Sequence, residues 1–331
     1  MSGVVTLTPA PVLDRTYLVA SMAPGKVNRA VEVHEYMSGK GLNVARTLHL
    51  ARTPVAAVMP IGRDDEHLLF RTPYPHILRI MPIQGRIRVN TAIVEDGGRT
   101  TNVNQSAIPM STTDWDRVVD LTIEQLLEMD ADWLCASGTH PFNSDTGDYV
   151  DMTSLFERAR EAGVRVALDT SGVPLDRLVT SGLVNLIKPN ADELANLVGR
   201  NLATIGEALE AGRELNRGGI EVALVSLGAD GALAITADSA FWGAAVAPQL
   251  VNTTGAGDAT LAGFLGHSIR EDREGDLDLE RALSTAVSWG ALAVSLPTTL
   301  ITGLEDAPVP TVGTPDPERV LLEATHLVAK K

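Results

Sequence analysis

Cysteine is nearly absent: the chain of 331 residues holds one, Cys135. A lone thiol closes no disulfide within the chain and builds no thiolate zinc site. Set between Leu134 and Ala136, it is expected as a buried core thiol. Aromatic residues are also scarce, at 4%. The interior must then be filled by Ala, Val, Leu and Ile, a mix that suits helices packed on a parallel sheet. Positive charge is in deficit: 27 Lys and Arg stand against 42 Asp and Glu, a formal charge of −15. Such a surface repels nucleic acid and anionic membrane, so neither is expected as a partner. No run approaches the ~18 apolar residues that span a bilayer. The start, "MSGVVTLTPAP", has no charged region followed by an apolar signal stretch. The cytoplasm is the expected location.

Hydrophobic residues make up 44% of the chain, enough for a large interior. "GVVTLTPAP" reads as a short buried strand stopped by prolines. "RAVEVHEY" (29–36) alternates apolar and polar, as a strand wet on one face does. "RIRVNTAIVEDGGRTTNVNQ" (86–105) repeats that alternation around "EDGG", a hairpin signal. From about residue 113 helical stretches alternate with fully apolar strands, as in "LFERAREAGVRVALDTS". That alternation implies an α/β fold with a doubly wound, mostly parallel sheet. The half-wet strands then form a small β-sheet lid from two insertions, 11–36 and 86–108, on a core of 1–10, 37–85 and 109–331. A sheet of a few half-exposed strands is marginal alone. It must cover something or pair with a second copy of itself. The tail from 305, "EDAPVPTVGTPDPE", reads as a surface connection before a last helix.

The stretch "VNTTGAGDATLAGF" (251–264) raises the first chemical question. Strand-like "APQLVN" leads into it, and "ATLAGFLGHSI" reads as a helix. Gly255 and Gly257 allow tight turns and leave backbone N–H groups exposed at a helix start, where the dipole favours an anion. Asp258 is either an N-cap or the acceptor of a proton from an attacking hydroxyl. In the second reading the N–H groups stabilise charge on a transferring phosphoryl group. Other nucleotide motifs do not fit. Gly39-Lys40 is followed by Gly41 and has no glycine five places earlier, so it is not a P-loop. The dinucleotide fingerprint would need glycine where Thr260 stands.

A second glycine motif, "MSGKGLNVARTLHLA" (37–51), places Lys40 between Gly39 and Gly41, with Asn43 and Arg46 in the first turns of a following helix. It is either a flexible turn with a solvated lysine or a contact for an anion or hydroxyl. In "LIKPNADEL" (186–194) an apolar strand ends in Lys188-Pro189-Asn190, and Glu193 follows. Asn190 and Glu193 form either a capping-box variant or the holders of a hydrated magnesium ion, with Lys188 facing phosphate.

"SGKGLNVAR", "KPNADEL", "VSLGADGAL" and "TTGAGD" occur in the order and spacing of the ribokinase-like (PfkB) sugar kinase family, which the chain resembles over about residues 3–304. "TLTPAPVLDRTY", "QGRIRVN" and "TTNVNQ" look most like the branch that contains 1-phosphofructokinase and tagatose-6-phosphate kinase. The resemblance implies an ATP- and Mg²⁺-dependent kinase of a phosphorylated ketohexose. It implies Asp258 as base, with Gly255, Ala256 and Gly257 as anion hole, and Asn190 and Glu193 organising magnesium through water. Lys188, Ser226 and Gly228 resemble nucleotide-side contacts. Asp14, Gly39, Lys40, Asn43 and Asn104 resemble sugar-side contacts, and Arg88 resembles the arginine that meets the phosphate already on the substrate. The insertions resemble a lid that in this branch often joins dimers, so a homodimer through the lid is expected. Lys26 lies on that lid, within reach of phosphate, in this subunit or its partner.

The chain departs from the family form at Ala10, Val12, Ser38, Gln105 and His140, all toward the sugar side. "GRDDEHLLFRTPYPHI" carries prolines where the family implies a helix. Two other readings remain: a kinase of another sugar, polyol or nucleoside, and a non-catalytic sugar-phosphate sensor. A sensor would be expected to lose Asp258 or Glu193 first, and both are present. A nicotinamide oxidoreductase lacks its fingerprint. His34, His49, His67, His76, His267 and His326 show no ligand spacing.

Overall fold

The computed structural model describes residues 3–269 and 277–327. Strand β1 (Val4–Leu7) opens the chain, and β2 (Val12–Val19) and β3 (Glu32–Ser38) follow before helix α1 (Lys40–Leu50). Then come β4 (Val55–Gly62), β5 (Leu78–Ile83), β6 (Arg88–Glu95), β7 (Thr100–Asn104), α2 (Thr112–Met129) and β8 (Trp133–Ser137). The middle of the chain gives α3 (Thr153–Glu161), β9 (Arg165–Asp169), α4 (Val173–Val179), β10 (Leu186–Ile187), α5 (Ala191–Val198) and α6 (Ile205–Arg217). The last part gives β11 (Val222–Ser226), β12 (Ala232–Ile235), β13 (Ala240–Ala245), α7 (Ala256–Ser268), α8 (Leu279–Val294) and β14 (Pro310–Gly313).

Ten strands form one sheet in the order β14-β13-β12-β11-β10-β9-β8-β1-β4-β5, and four form a second in the order β3-β2-β6-β7. From β11 to β5 every pairing is parallel; β12, β13 and β14 add an antiparallel edge. The period of two along each strand feeds two cores. Val5, Leu134, Leu168 and Val225 pack on one face with α2, α3, α5 and α6. Val4, Trp133, Cys135, Ala167 and Leu224 pack on the other with α1, α7 and α8. Cys135 is fully buried, and burial pushes its thiol well above the usual range. The α7–α8 contact is very close: a Cβ on Gly263 would come within 2.8 Å of Ala286 Cα. The small sheet is anchored at one end, where Leu13, Met37 and Ile87 pack on Leu42, Ala57 and Met59. Its β2–β6 pairing is parallel and its two outer pairings are antiparallel. Among the described residues no helix is long and apolar enough to cross a membrane.

Three local expectations need correction, and a fourth, the broken helix between β4 and β5, is met. "APQLVN" is not a strand. Pro248 has no N–H to give, and the Val251 and Asn252 N–H groups both bond to the Val294 carbonyl (3.0 and 3.1 Å), away from any strand. The strand expected at 29–36 runs from Glu32 to Ser38; Val31 N–H closes the preceding loop on Leu18 O at 2.8 Å. No last helix forms up to residue 327. The N–H groups of Leu321, Leu322, Thr325 and His326 bond to Ala203, Asp230, Leu202 and Asp192 in place of carbonyls one turn back. The remainder of that expected helix, 328–331, lies outside the described residues. Between β4 and β5 the prolines leave only 3₁₀ turns, Arg63–Arg71 and Pro75–Ile77, with Tyr74 left-handed at φ 57°.

Candidate active site

Strands β1, β8, β9 and β10 end within about one residue of one another, and their carboxyl ends set out a row of polar residues. Ser137 stands opposite Asp169 in the β8–β9 register, and Leu168 opposite Ile187 in β9–β10. Asp169 and Lys188 therefore emerge side by side. In sheets of this kind ligands bind beyond the carboxyl ends, where the chain switches direction; here that point is β1, with β4 on one side and β8 on the other.

Asp169 ties two lysines together. Its Oδ1 is 3.0 Å from Lys40 Nζ and its Oδ2 is 3.6 Å from Lys188 Nζ. Asp169 and Lys188 are only 1% and 6% exposed. Burial pushes the Asp169 carboxyl up, but Lys188 and Lys40 together outweigh it and hold it below the usual range. Lys40 is held protonated mainly by Asp169, with Asp258 and Glu193 adding to the effect.

Helix α7 begins at Ala256 with Gly255 as N-cap in the left-handed region, φ 88°. A side chain at Gly255 would also press on Thr299, 3.1 Å from its Cβ. Asp258 is therefore not the N-cap; it lies inside the first turn and is 6% exposed. Asn43 Nδ2, from α1, donates to Asp258 Oδ2 at 2.9 Å. Burial, then the charge of Asp169, lift the Asp258 carboxyl to about 6, against the pull of Lys40, Asn43 and Lys188. The helical ladder starts with Ala259 N–H on Gly255 O, so the N–H groups of 256–258 precede it. The Ala256 N–H reaches back weakly to Thr253 O at 3.3 Å. Lys188 Nζ lies against this turn: a Cβ on Gly257 would meet it at 3.0 Å. α1 is drawn in tightly as well, since a Cβ on Gly41 would meet Leu7 O and Thr8 Oγ1 at 2.7 Å, and Gly39 has φ 147°.

Opposite this turn the small sheet presents one row: Asp14 pairs with Tyr36 and Asn90, and Asn90 pairs with Asn104. Burial raises the Asp14 carboxyl, while Ser38, Asn90, Arg88 and Arg46 pull it down. Arg88 Nη2 donates to Thr139 Oγ1 at 3.3 Å. Arg46 is 2% exposed and donates to Met37 O at 2.9 Å; burial lowers it to about 10. Arg88 Nε, Arg46 Nε and Nη2, Asn90 Oδ1 and Thr299 Oγ1 are buried without a hydrogen-bond partner in the protein. Each such atom costs about 1–3 kcal/mol when left unpaired. Donors and acceptors of both signs so arranged fit a hydroxylated, anionic molecule.

Lys26 does not join this row. It lies on the exposed loop after β2, whose far end is Val19, whereas Arg88 pairs with Val12. Seven residues of strand set the two ends roughly 23 Å apart. The departures from the family form mostly have structural partners. Ser38 Oγ donates to Asn43 Oδ1 at 3.5 Å, and Gln105 Oε1 accepts from the Val89 N–H at 2.9 Å. His140 is 3% exposed, and burial lowers it to about 4, so it is neutral at physiological pH.

On the other side Asn190 and Glu193 form a full capping box on α5: Glu193 N–H to Asn190 Oδ1 at 2.8 Å and Asn190 N–H to Glu193 Oε2 at 2.9 Å. Ser226 N–H bonds Pro189 O at 3.0 Å, which brings the "KPN" and "SLG" motifs together. Gly228, at φ 59°, starts the 3₁₀ turn Gly228–Asp230. Among the described residues no cluster of three or more His, Cys, Asp or Glu forms a metal cage. A hydrated magnesium ion needs only one or two protein carboxylates. Glu193, at the start of α5, remains for that, since Asp169 is engaged by lysines.

Residues 10–306 match the pfkB family carbohydrate kinase. The chain belongs to that family. This carbohydrate kinase is a phosphotransferase with an alcohol group as acceptor, and kinases of its family use ATP. It is 32% identical to 1-phosphofructokinase of Rhodobacter capsulatus, covering 87% of this chain and 90% of that one. It is 31% identical to 1-phosphofructokinase of Haloferax volcanii, over 92% and 94% of the two chains. Among solved structures it is similar to phosphofructokinase-2 from Escherichia coli in complex with potassium. The TM-score there is 0.78 and the identity 25%, over 93% of this chain and 97% of that one.

Asp169, Asn90 and Thr139 entered the candidate site only through the structure, and Arg46, named in the second glycine motif, gained its place beside Asp14 there. Asp169 had a sequence signal, an aspartate closing the apolar strand "RVALD".

Proposed function

We propose that the protein transfers the γ-phosphoryl group of ATP to a hydroxyl of a phosphorylated ketohexose, with fructose 1-phosphate as the first candidate. The observation that carries this reading is the pairing of Asp258 with Asn43 at the first turn of α7, with Lys188 against Gly257. Asn43 takes Oδ2 of Asp258, leaving Oδ1 to accept the proton of the attacking hydroxyl. A carboxyl lifted to about 6 is ionised at neutral pH and is a stronger base than a free aspartate. The N–H groups of Gly255, Ala256 and Gly257, with the helix dipole, receive the charge that spreads over the phosphoryl oxygens. Lys188 adds a cation at the same turn, and Lys40 one at the acceptor side. Asp169 holds both lysines in place by ion pairs and keeps Lys40 protonated.

Magnesium, when bound, would neutralise phosphate charge; Glu193, with Asn190, is the group placed to hold it through water. Ser226 and Gly228 flank that cap and face the nucleotide. The four-stranded sheet, 11–36 and 86–108, is the lid. Asp14, Gly39, Asn43 and Asn104 hold the sugar hydroxyls, and Arg88 holds the phosphate already present. The relatives' name, 1-phosphofructokinase, and the unpaired Arg88 and Arg46 donors support a phosphorylated acceptor. Lys26 would reach phosphate only from a partner subunit. The test is a coupled ADP-release screen with ATP and magnesium across free sugars, polyols, nucleosides and sugar phosphates. A ketohexose phosphate should give the highest kcat/KM. A free sugar or nucleoside as best substrate would leave the kinase and remove the acceptor.

A further inference from the structure

The family match ends at residue 306, and the chain beyond it crosses the nucleotide side of the molecule. After β14, residues 316–327 lie along the α5–α6 connection and never fold into a helix. Backbone bonds fix them in register. Gly206 N–H bonds Pro317 O at 3.1 Å, Ile205 N–H bonds Arg319 O at 2.9 Å, and Leu321 N–H bonds Ala203 O at 2.9 Å. Thr325, 2% exposed, accepts from Leu202 N–H at 2.6 Å and returns its hydroxyl to Leu202 O at 3.1 Å. The next residue reaches α5 itself: His326 N–H bonds Asp192 Oδ1 at 3.0 Å, beside Glu193.

The decisive contact is at Asp230, the last residue of the turn that Gly228 begins. Asp230 is 2% exposed. Its Oδ1 accepts from Arg319 Nη2 at 2.9 Å and its Oδ2 from Leu322 N–H at 2.7 Å. Both partners of this carboxylate belong to the crossing segment. A buried carboxylate stripped of its partners either takes up a proton or turns outward to water, and in both cases the turn that carries it loses its tie to the segment. Arg319 is itself held over the Trp242 ring, 4.9 Å from its centre, while Trp242 Nε1 donates to Asp230 O at 2.8 Å. Asp230, Arg319 and Trp242 therefore close a loop of contacts around the Gly228–Asp230 turn.

We propose that residues 316–327 are a strap that positions the nucleotide loop Ser226–Asp230 and the start of α5, and that its docking through Arg319 and Asp230 sets the affinity for ATP. Arg319 is a positioning residue; it acts through Asp230 and touches no substrate. The inference rests on the reading that Ser226, Gly228 and the α5 N-terminus face ATP.

The test compares Arg319→Met, Arg319→Lys and Gly228→Val in the full-length kinase, measuring kcat and the KM for ATP and for the sugar-phosphate acceptor. Arg319→Met should raise the KM for ATP about fivefold or more and leave the acceptor KM within about twofold, and Arg319→Lys, which restores a charge to Asp230, should recover part of the loss. A merely structural role would lower kcat with the active fraction and move neither KM, and would overturn the proposal. Gly228→Val, strained at a positive φ, should raise the ATP KM by itself. If Gly228→Val does so and Arg319→Met does not, the strap fails alone. If neither moves the ATP KM, the nucleotide reading fails with it. Hydrogen exchange gives a second readout independent of turnover. Amides of 226–231 should exchange faster in Arg319→Met while those of β4 and β8 do not; unchanged exchange at 226–231 overturns the strap.

Discussion

At Asp258, a buried carboxylate is asked to be ionised, and this has consequences for both rate and stability. Its carboxyl stands at about 6 in the fold, so the base is active above that pH. The rate at limiting substrate should fall as pH drops through about 6. Asp258→Asn should lower kcat about 10²–10⁴-fold at pH 7.5, with ATP affinity little changed; near-normal turnover removes the residue from the chemistry. The stability sign is opposite. A folded-state value above the unfolded one stabilises at low pH, and that contribution is lost as pH rises through 6. Asp258→Asn should thus be more stable than the parent at pH 7.5, by about 1–3 kcal/mol in denaturant unfolding. Asp169 offers a complementary check. Asp169→Asn removes a like charge from Asp258, so the acid limb should shift to lower pH. It also leaves buried Lys188 without its carboxylate and should destabilise the fold by about 3–5 kcal/mol. An unmoved limb would show that the two carboxylates do not interact. Asp258 was legible in sequence because its neighbours are tiny and contiguous. Asp169 showed only as an aspartate closing an apolar strand; its role comes from three strands in register, β8, β9 and β10, and from lysines far from it in the chain.

Among the elements, α5 carries one feature with two explanations. Asn190 and Glu193 are a complete capping box, and the same pair is proposed to organise magnesium. Glu193→Gln separates the two, since glutamine also closes a capping box but carries no charge. The thermal midpoint should stay nearly unchanged, while the magnesium concentration for half-maximal rate should rise. An unchanged magnesium titration returns the pair to capping alone. The parallel strands were readable as short apolar runs between helices, and the β6–β7 hairpin as alternation around "EDGG". Two of the corrected elements share a cause. "APQLVN" and the stretch after Pro317 have the composition of a strand and of a helix, but distant carbonyls and carboxylates take their N–H groups: Val294 for the first, Leu202, Ala203 and Asp230 for the second. Local pattern cannot register a competitor from elsewhere in the chain.

For the whole molecule, the strong negative charge and the exposed small sheet set the expectations. Val33 on β3 and Val103 on β7 are 47% and 62% exposed, and Val27 and Val31 on the loop between β2 and β3 are 81% and 82% exposed. Several uncovered valines on this sheet and its loop support the proposed homodimer through the lid. Sedimentation at micromolar concentration should give twice the chain mass, and Val31→Asp with Val33→Asp should give one; a monomeric parent contradicts the dimer. A protein of formal charge −15 should admit a dianionic substrate only through local cations, and Arg88, whose charge acts on Asp14 together with that of Arg46, is the lid residue proposed to supply one. Arginine holds phosphate by two parallel bonds that lysine does not reproduce. The most direct measurement is therefore kcat/KM for fructose 1-phosphate and for fructose, in the parent and in Arg88→Lys. The account predicts strong preference for the phosphorylated sugar, and an Arg88→Lys effect confined to it that raises KM more than it lowers kcat. Better turnover of the free sugar, with Arg88→Lys leaving both substrates unaffected, would contradict it.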